Sequence, residues 1–172
     1  RQLRFLTNQL HEKNRLRRLR GRFFRENTDM SETFLRNEML LGAAALGKLA
    51  ASHVCVVGLG GVGSWAVEAL ARSGVGELTL MDQDQVEPSN LNRQAEALES
   101  TLGLPKAEAM AQRVLAVNPA CRVHPVQGRY EVETREDFFA QRYDYIVDAI
   151  DLVSCKLDLI ETALRRGVPI IS

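Results

Sequence analysis

The chain is poor in cysteine and tryptophan, carries no net charge and lacks a long apolar run, and these shortages narrow what it can be. Its three cysteines in 172 residues, Cys55, Cys121 and Cys155, form no C-x-x-C pair. That spacing argues against a zinc knuckle within the chain and for a reducing compartment. Cys55 falls in an apolar strand and reads as core. Cys121 and Cys155 could be exposed thiols, but no histidine is placed in a recognisable pattern to activate either as a nucleophile. No apolar stretch reaches the length of a membrane span and no cleavable signal is visible, so the expectation is a cytoplasmic protein without a membrane partner.

The zero net charge, 22 basic against 22 acidic residues, hides an asymmetry. Residues 1–29 hold nine Lys/Arg against three Asp/Glu, which leaves thirteen against nineteen for residues 30–172. Arg15, Arg17, Arg18, Arg20, Arg22 and Arg25 could meet RNA phosphates. The leader has little apolar periodicity, however, and reads as a disordered extension or as one ahead of a true start at Met30-Ser31. The remainder is long enough, and at 45% apolar for the whole chain rich enough, to bury one core.

What the chain does possess is concentrated in residues 53–84, HVCVVGLGGVGSWAVEALARSGVGELTLMDQD. The apolar run Val54 to Val57 ends at Gly58, and Gly58, Gly60 and Gly63 fall on the G-x-G-x-x-G spacing ahead of a helix from Val62 to Ser73. The first glycine permits a tight turn, the second lets backbone approach a phosphate, and the third lets helix pack on strand. Phosphate oxygens would meet free N–H groups at the helix start. Asp82 closes the next strand, Leu78 to Met81, where a carboxylate takes ribose hydroxyls.

Strands and helices alternate along the rest of the chain. An amphipathic helix, Phe34 to Ala51, interrupted near Gly42, precedes the first strand. Gln83 to Leu104 is polar and irregular, the kind of long connection that tends to be functional. Pro105 opens a helix that runs to Val117 and stops at Asn118-Pro119. Strands at Val123 to Val126, Tyr145 to Ala149 and Val168 to Ile171 are separated by helices at Glu133 to Gln141 and Leu152 to Arg166, the latter ended by Gly167. The fold class is therefore α/β, a Rossmann-like parallel sheet with helices on both faces, preceded by a helical N-terminal segment. Ligands gather at the carboxyl ends of such strands, where Gly58, Asp82 and Asp148 fall.

The polar connection separates this chain from a dehydrogenase. A nicotinamide site needs no second cationic pair beside its pyrophosphate, whereas cleavage of ATP must neutralise charge on the departing pyrophosphate. Arg93 and Lys106 suit that task, one as a bidentate fork and the other as a point charge, though both also fit a solvated loop and a helix terminus. Asp148 and Asp151 stand at a strand end where carboxylates can share Mg²⁺ with phosphate oxygens, while Asp151 equally fits a helix cap.

The set GLGGVGS, DQD, SNLNRQ, LPKAEA, NPACRV and DAID, in this order, resembles the ThiF/MoeB/HesA adenylating family over about residues 34–172. GVGSWAVEALARSGVG and DAIDLVSCK are most similar to its tRNA threonylcarbamoyladenosine dehydratase branch. The resemblance implies that Gly58, Gly60, Gly61 and Gly63 meet phosphates and Asp82 the ribose, with Asp84 beside it in the nucleotide site. It implies Asn90, Arg93 and Lys106 on the triphosphate, Asp148 on Mg²⁺, and Arg36, in Phe34-Leu35-Arg36, reaching the ATP of a second subunit in a homodimer. Residues 30–172 would be an ATP-binding adenylation domain that relatives extend beyond the strand Val168 to Ile171.

The implied reaction is attack of a carboxylate on the α-phosphate of ATP, giving an acyl-adenylate and pyrophosphate. In the dehydratase branch the carboxylate is the threonylcarbamoyl group of a tRNA adenosine, which then cyclises with net loss of water. Basic surface for tRNA would come from Arg122, Arg129, Arg135, Arg142, Arg165 and Arg166 or from structure beyond this chain. The alternatives are an adenylyltransferase for a ubiquitin-like sulfur-carrier protein, with a sulfur-transfer partner, and a nonenzymatic nucleotide-binding or dimerisation module.

Overall fold

The computed structural model describes residues 30–172, and the basic leader lies outside them. Two units are distinguished among the described residues, 30–35 and the compact 36–172. Helix α1 (Met30–Thr33) belongs to the first. The expected N-terminal helix is present as α2 (Leu35–Leu41) and α3 (Ala43–Ala51), divided at Gly42. Gly42 has φ 82°, a left-handed conformation that costs a Cβ-bearing residue energy and ends α2 there.

Residues 36–172 build a five-stranded sheet in the order β3-β2-β1-β4-β5, parallel throughout. The strands are β1 (His53–Val57), β2 (Glu77–Asp82), β3 (Arg122–Gln127), β4 (Tyr145–Asp148) and β5 (Ile170–Ile171). Helix α4 (Gly63–Arg72) joins β1 to β2, α5 (Lys106–Val117) precedes β3, the single turn α6 (Arg135–Phe138) precedes β4, and α7 (Val153–Arg166) precedes β5.

Period-two alternation sends opposite side chains of each strand to opposite faces. Val54 and Val56 with Leu78 and Leu80 pack on Val67 and Ala71 of α4 and on Ala107, Met110 and Val114 of α5. Cys55, Val57 and Ile146 pack on the other face against Tyr130, Phe138, Tyr143 and, from α7, Leu159 and Ala163. Burying a side chain of this size stabilises by about 1.5–3 kcal/mol each, which fixes strand register as well as helix placement. A buried ion cluster joins α4 to α5: Glu68 accepts from Arg72 Nη2 at 2.6 Å and from Arg113 Nε at 2.6 Å. Burial pushes the Glu68 carboxyl up, but the two guanidiniums outweigh it and hold it below its ordinary range.

Some expected elements are shorter. The helix expected over Glu133 to Gln141 is a 3-10 turn at Val132–Thr134 followed by α6. Past the end of this turn Phe138 and Tyr143 join one buried cluster, with ring centroids 5.3 Å apart. The last strand contains only Ile170–Ile171. Cys121 and Cys155 are buried, against the expectation of exposed thiols. Burial, with the charge of Glu77, pushes the Cys121 thiol up to about 11, which makes it inert.

Candidate nucleotide site

The order of strands reverses between β1 and β4, and in such sheets a crevice opens at the carboxyl ends of the two strands flanking the reversal. Val57 and Asp148 are paired there. Gly58 follows β1 with φ 90°, and a Cβ on it would lie 2.5 Å from the Ala149 carbonyl oxygen. A Cβ on Gly63 would lie 1.8 Å from Gly58 O, so only glycine lets α4 start this close to the strand. Gly60 is different: nothing lies within 4 Å of the position its Cβ would take. Among the described residues, the N–H groups of Gly60, Gly61 and Val62 make no hydrogen bond. An open glycine, unpaired amides and the positive end of a ten-residue helix form a cradle for phosphate.

Asp82 orders the rim of this cradle. Its Oδ2 accepts from Leu59 N at 2.6 Å and its Oδ1 from Asp84 N at 2.8 Å. Each oxygen keeps a lone pair with which a hydroxyl donor can be bound. Asn90 is buried and spends its Oδ1 on Glu87 N at 2.9 Å, closing a 3-10 turn at Pro88–Asn90. Its amide reaches only as far as Ser89 Oγ, at 3.4 Å.

Arg93 lies over the glycine turn, its Cδ 3.5 Å from where a Gly61 Cβ would be. Its Nη1 donates to Ser89 O at 2.9 Å, and its own carbonyl accepts from Trp65 Nε1 at 2.9 Å. Lys106 opens α5, with Pro105 at the N-cap rather than inside the helix. It is buried and pairs through Nζ with exposed Asp84 at 3.2 Å.

Asp148 is buried, and both of its oxygens accept from protein groups: Oδ1 from Ile150 N and Oδ2 from Lys156 Nζ, each at 2.9 Å. Asp151 is exposed and makes no cap, since Leu152 holds the N-cap position of α7 without a side-chain bond. Arg36 is exposed on α2. Thus Gly58, Gly61, Gly63, Asp82, Asp84, Arg93 and Lys106 are linked by the contacts above, and Gly60 joins them through its carbonyl, which accepts from Ser64 N at 3.1 Å, whereas no such contact ties Arg36 to them among the described residues.

Three further residues belong to this region. Ser64, in the first turn of α4, accepts from Ala95 N at 3.1 Å and so ties the Arg93 segment to the glycine turn. Lys156 neutralises Asp148; it lies in the DAIDLVSCK stretch but has no motif role of its own. Glu96 is 1% exposed and neither carboxylate oxygen has a hydrogen-bond partner. Burial pushes its carboxyl up to about 7, with Lys106 opposing the rise and Asp82 adding to it. Nothing in its local sequence marks it, because its burial arises from long-range packing.

Of the six arginines expected to offer basic surface, Arg122, Arg129, Arg135, Arg165 and Arg166 each pair with a carboxylate: Glu77, Glu131, Asp158, Glu161 and Glu136. Their charge is thereby largely balanced on this part of the molecule. No helix among the described residues is long and apolar enough to cross a membrane.

A parallel α/β sheet with a glycine cradle at its reversal point and a ribose-competent carboxylate on the next strand defines a nucleotide-binding protein of the Rossmann-like class. A model of the ThiF family matches residues 34–172, and the chain belongs to that family. It is 46% identical over 143 residues to tRNA threonylcarbamoyladenosine dehydratase of Bacillus subtilis, covering 83% of this chain and 56% of the relative. The molybdopterin-synthase adenylyltransferase of Salmonella typhimurium is 37% identical over 121 residues, covering 70% of this chain and 48% of the relative. The crystal structure of Escherichia coli tRNA N6-threonylcarbamoyladenosine dehydratase, TcdA, in complex with ATP matches with a TM-score of 0.81 and 43% identity, over 84% of this chain and 59% of that one. The chain thus spans about half the length of the relatives it matches.

Proposed function

We propose that this chain is the nucleotide half of an enzyme that uses ATP to adenylate a carboxylate, with the threonylcarbamoyl group of a modified tRNA adenosine as substrate. The observation that carries the reading is the pair of cations beside the glycine cradle: Arg93 over Gly61 and a buried Lys106 at the start of α5. A buried ammonium is costly unless it meets negative charge. Asp84, its present partner, is exposed, so the polyphosphate of ATP can take its place.

In this reading Gly58, Gly60, Gly61 and Gly63 shape the phosphate cradle, Asp82 and Asp84 hold the ribose side, and Asn90, Arg93 and Lys106 take the triphosphate. The substrate carboxylate attacks the α-phosphorus, the bond to the bridging oxygen breaks, and pyrophosphate leaves with the electron pair. Arg93 and Lys106 stabilise charge on that leaving group, a contribution on the order of a hundredfold in rate for a single aimed donor. Asp148, whose Oδ2 accepts from the Lys156 ammonium, would hold Mg²⁺. Bound there, the metal would screen phosphate charge. The activated acyl group then closes into a ring, with net loss of one water.

Arg36 acts on the ATP of a second subunit, which makes the enzyme a homodimer of the cytoplasm. With five of the six arginines paired, tRNA contact falls mainly to protein beyond these residues. Greater identity to the dehydratase than to the molybdopterin-synthase adenylyltransferase favours tRNA over a sulfur-carrier protein as the partner.

ATP–pyrophosphate exchange by the complete enzyme tests the reading. Exchange stimulated by tRNA bearing threonylcarbamoyladenosine, with a nucleoside product lighter by one water, is expected. Stimulation by a glycine-terminated carrier protein instead would refute the substrate. Calorimetry showing NAD bound and ATP ignored would refute the nucleotide.

A further inference from the structure

The opposite end of the sheet carries a second cluster. His53 and Glu77 open β1 and β2 and are paired with each other in the register, and His124 pairs with Thr79 one step further along β3. Alternation places all of them on the Cys55 face, because Val54, Leu78 and Val123 point to the other. Helix α7 covers that face over β1, β4 and β5, and β3 is left largely open to solvent. Four residues of strand separate His53 from Val57, roughly 13 Å at about 3.3 Å per residue, so the cluster is remote from the glycine cradle.

Among the described residues, this is the one set of three His, Cys, Asp or Glu side chains whose ligand atoms lie within 4.8 Å of one another. His124 Nε2 and Glu77 Oε1 are 2.8 Å apart. The His53 ring is held in place, edge-on to Tyr143 at 5.0 Å and with Nε2 2.9 Å from Thr79 Oγ1.

We propose that His53, Glu77 and His124 form a binding site for a divalent transition-metal ion of the zinc type. Two imidazoles and one carboxylate are donors that Zn²⁺ accepts at about 2.0–2.2 Å, which places tetrahedral ligands roughly 3.3 Å from one another. His124 and Glu77 already stand at 2.8 Å, and with all three ligand atoms within 4.8 Å of one another, rotation of the side chains brings the set to that spacing. The donor set selects borderline metals over Mg²⁺ and Ca²⁺, which require oxygen. Three protein ligands leave the fourth position to water from the open β3 side. Thr79 and Tyr143 supply the outer support that fixes ring orientation. Arg122 competes, because it holds the other oxygen of Glu77. Asp144 adds negative charge beside His53, accepting from His53 N at 2.8 Å.

Calorimetric titration of the full chain with Zn²⁺, in a non-chelating buffer without nucleotide, tests the site. One ion per chain is expected, with Glu77→Gln and His124→Ala each weakening binding at least about tenfold. Arg122→Ala, which removes the competing cation, should tighten it. His124 is exposed, so its variant should fold, and circular dichroism checks that it does. Co²⁺ in place of Zn²⁺ should give visible absorption of a four-coordinate nitrogen–oxygen site that His124→Ala abolishes. Absence of saturable binding, or native affinity retained in both Glu77→Gln and His124→Ala, would overturn the proposal.

Discussion

Glu96→Gln should stabilise the protein relative to wild type increasingly as pH rises from about 4.5 to about 7, and fully above that. The Glu96 carboxyl is buried without a partner, and its pKa rises from an ordinary 4.5 to about 7. Between those values the folded chain binds a proton that the unfolded chain has released, so stability falls as pH rises through this window and the loss is complete above it. Each tenfold change in proton affinity is worth about 1.4 kcal/mol, which makes the total about 3 kcal/mol. Glutamine keeps the shape of the protonated acid and cannot ionise. The gap between variant and wild type should therefore grow by about 3 kcal/mol in favour of glutamine from below pH 4.5 to above pH 7. Urea denaturation at a series of pH values, without nucleotide, measures it; with a slope of about 2 kcal/mol/M the midpoints should diverge by roughly 1.5 M. A gap that stays constant across the window would refute the reasoning, for it would mean that Glu96 ionises as readily in the fold as in the unfolded chain.

Two glycine substitutions should fail in different ways. Gly63→Ala drives a methyl into Gly58 O and should cost about 1–3 kcal/mol of stability in a chemical melt. Gly60→Ala meets no protein atom and should melt like wild type while losing ATP affinity by calorimetry. Asp148→Ala in the complete enzyme should lower adenylation on the order of a hundredfold with unchanged circular dichroism; unchanged turnover would remove Asp148 from the reaction. Mixing Arg36→Ala with Lys106→Ala subunits should restore activity in up to about half the sites of mixed dimers, as expected of an arginine acting in trans. No recovery despite verified subunit exchange would place Arg36 outside the site.

Local signals made much of this structure legible. Hydrophobic alternation, Gly42, the glycine turn and the Asn118-Pro119 stop each act within a few residues, and the elements they mark stand within a residue or two of expectation at β1, α4, α5 and α7. Elements set by distant contacts were less legible. The early end of α6 at Phe138 has no local stop signal, and the burial of Cys121 and Cys155 depends on neighbours across the fold. The same distinction holds at the site. Gly58, Gly63 and Asp82 are marked by spacing, whereas Glu96, Lys156 and the Ser64 bond to Ala95 exist only once the long connection has folded back on α4. Asp151 had the right residue type for a cap and the wrong backbone position for one.

The Glu68 cluster gives the phosphate cradle a mechanical property. Helices α4 and α5 begin at the two places where phosphate is expected, Gly63 and Lys106, yet their ionic joint lies further along both, at Arg72, Glu68 and Arg113. Seven residues of helix separate Lys106 from Arg113, about 10 Å at 1.5 Å per residue. The pair therefore resembles tongs riveted behind the jaws: a small tilt at the rivet becomes a larger displacement at Lys106, while the glycine turn stays seated on β1. Substitution at Arg113 should therefore change ATP affinity by calorimetry while leaving the cradle's own residues unchanged, and equal affinity in Arg113→Ala would show that the joint does not reach the jaws.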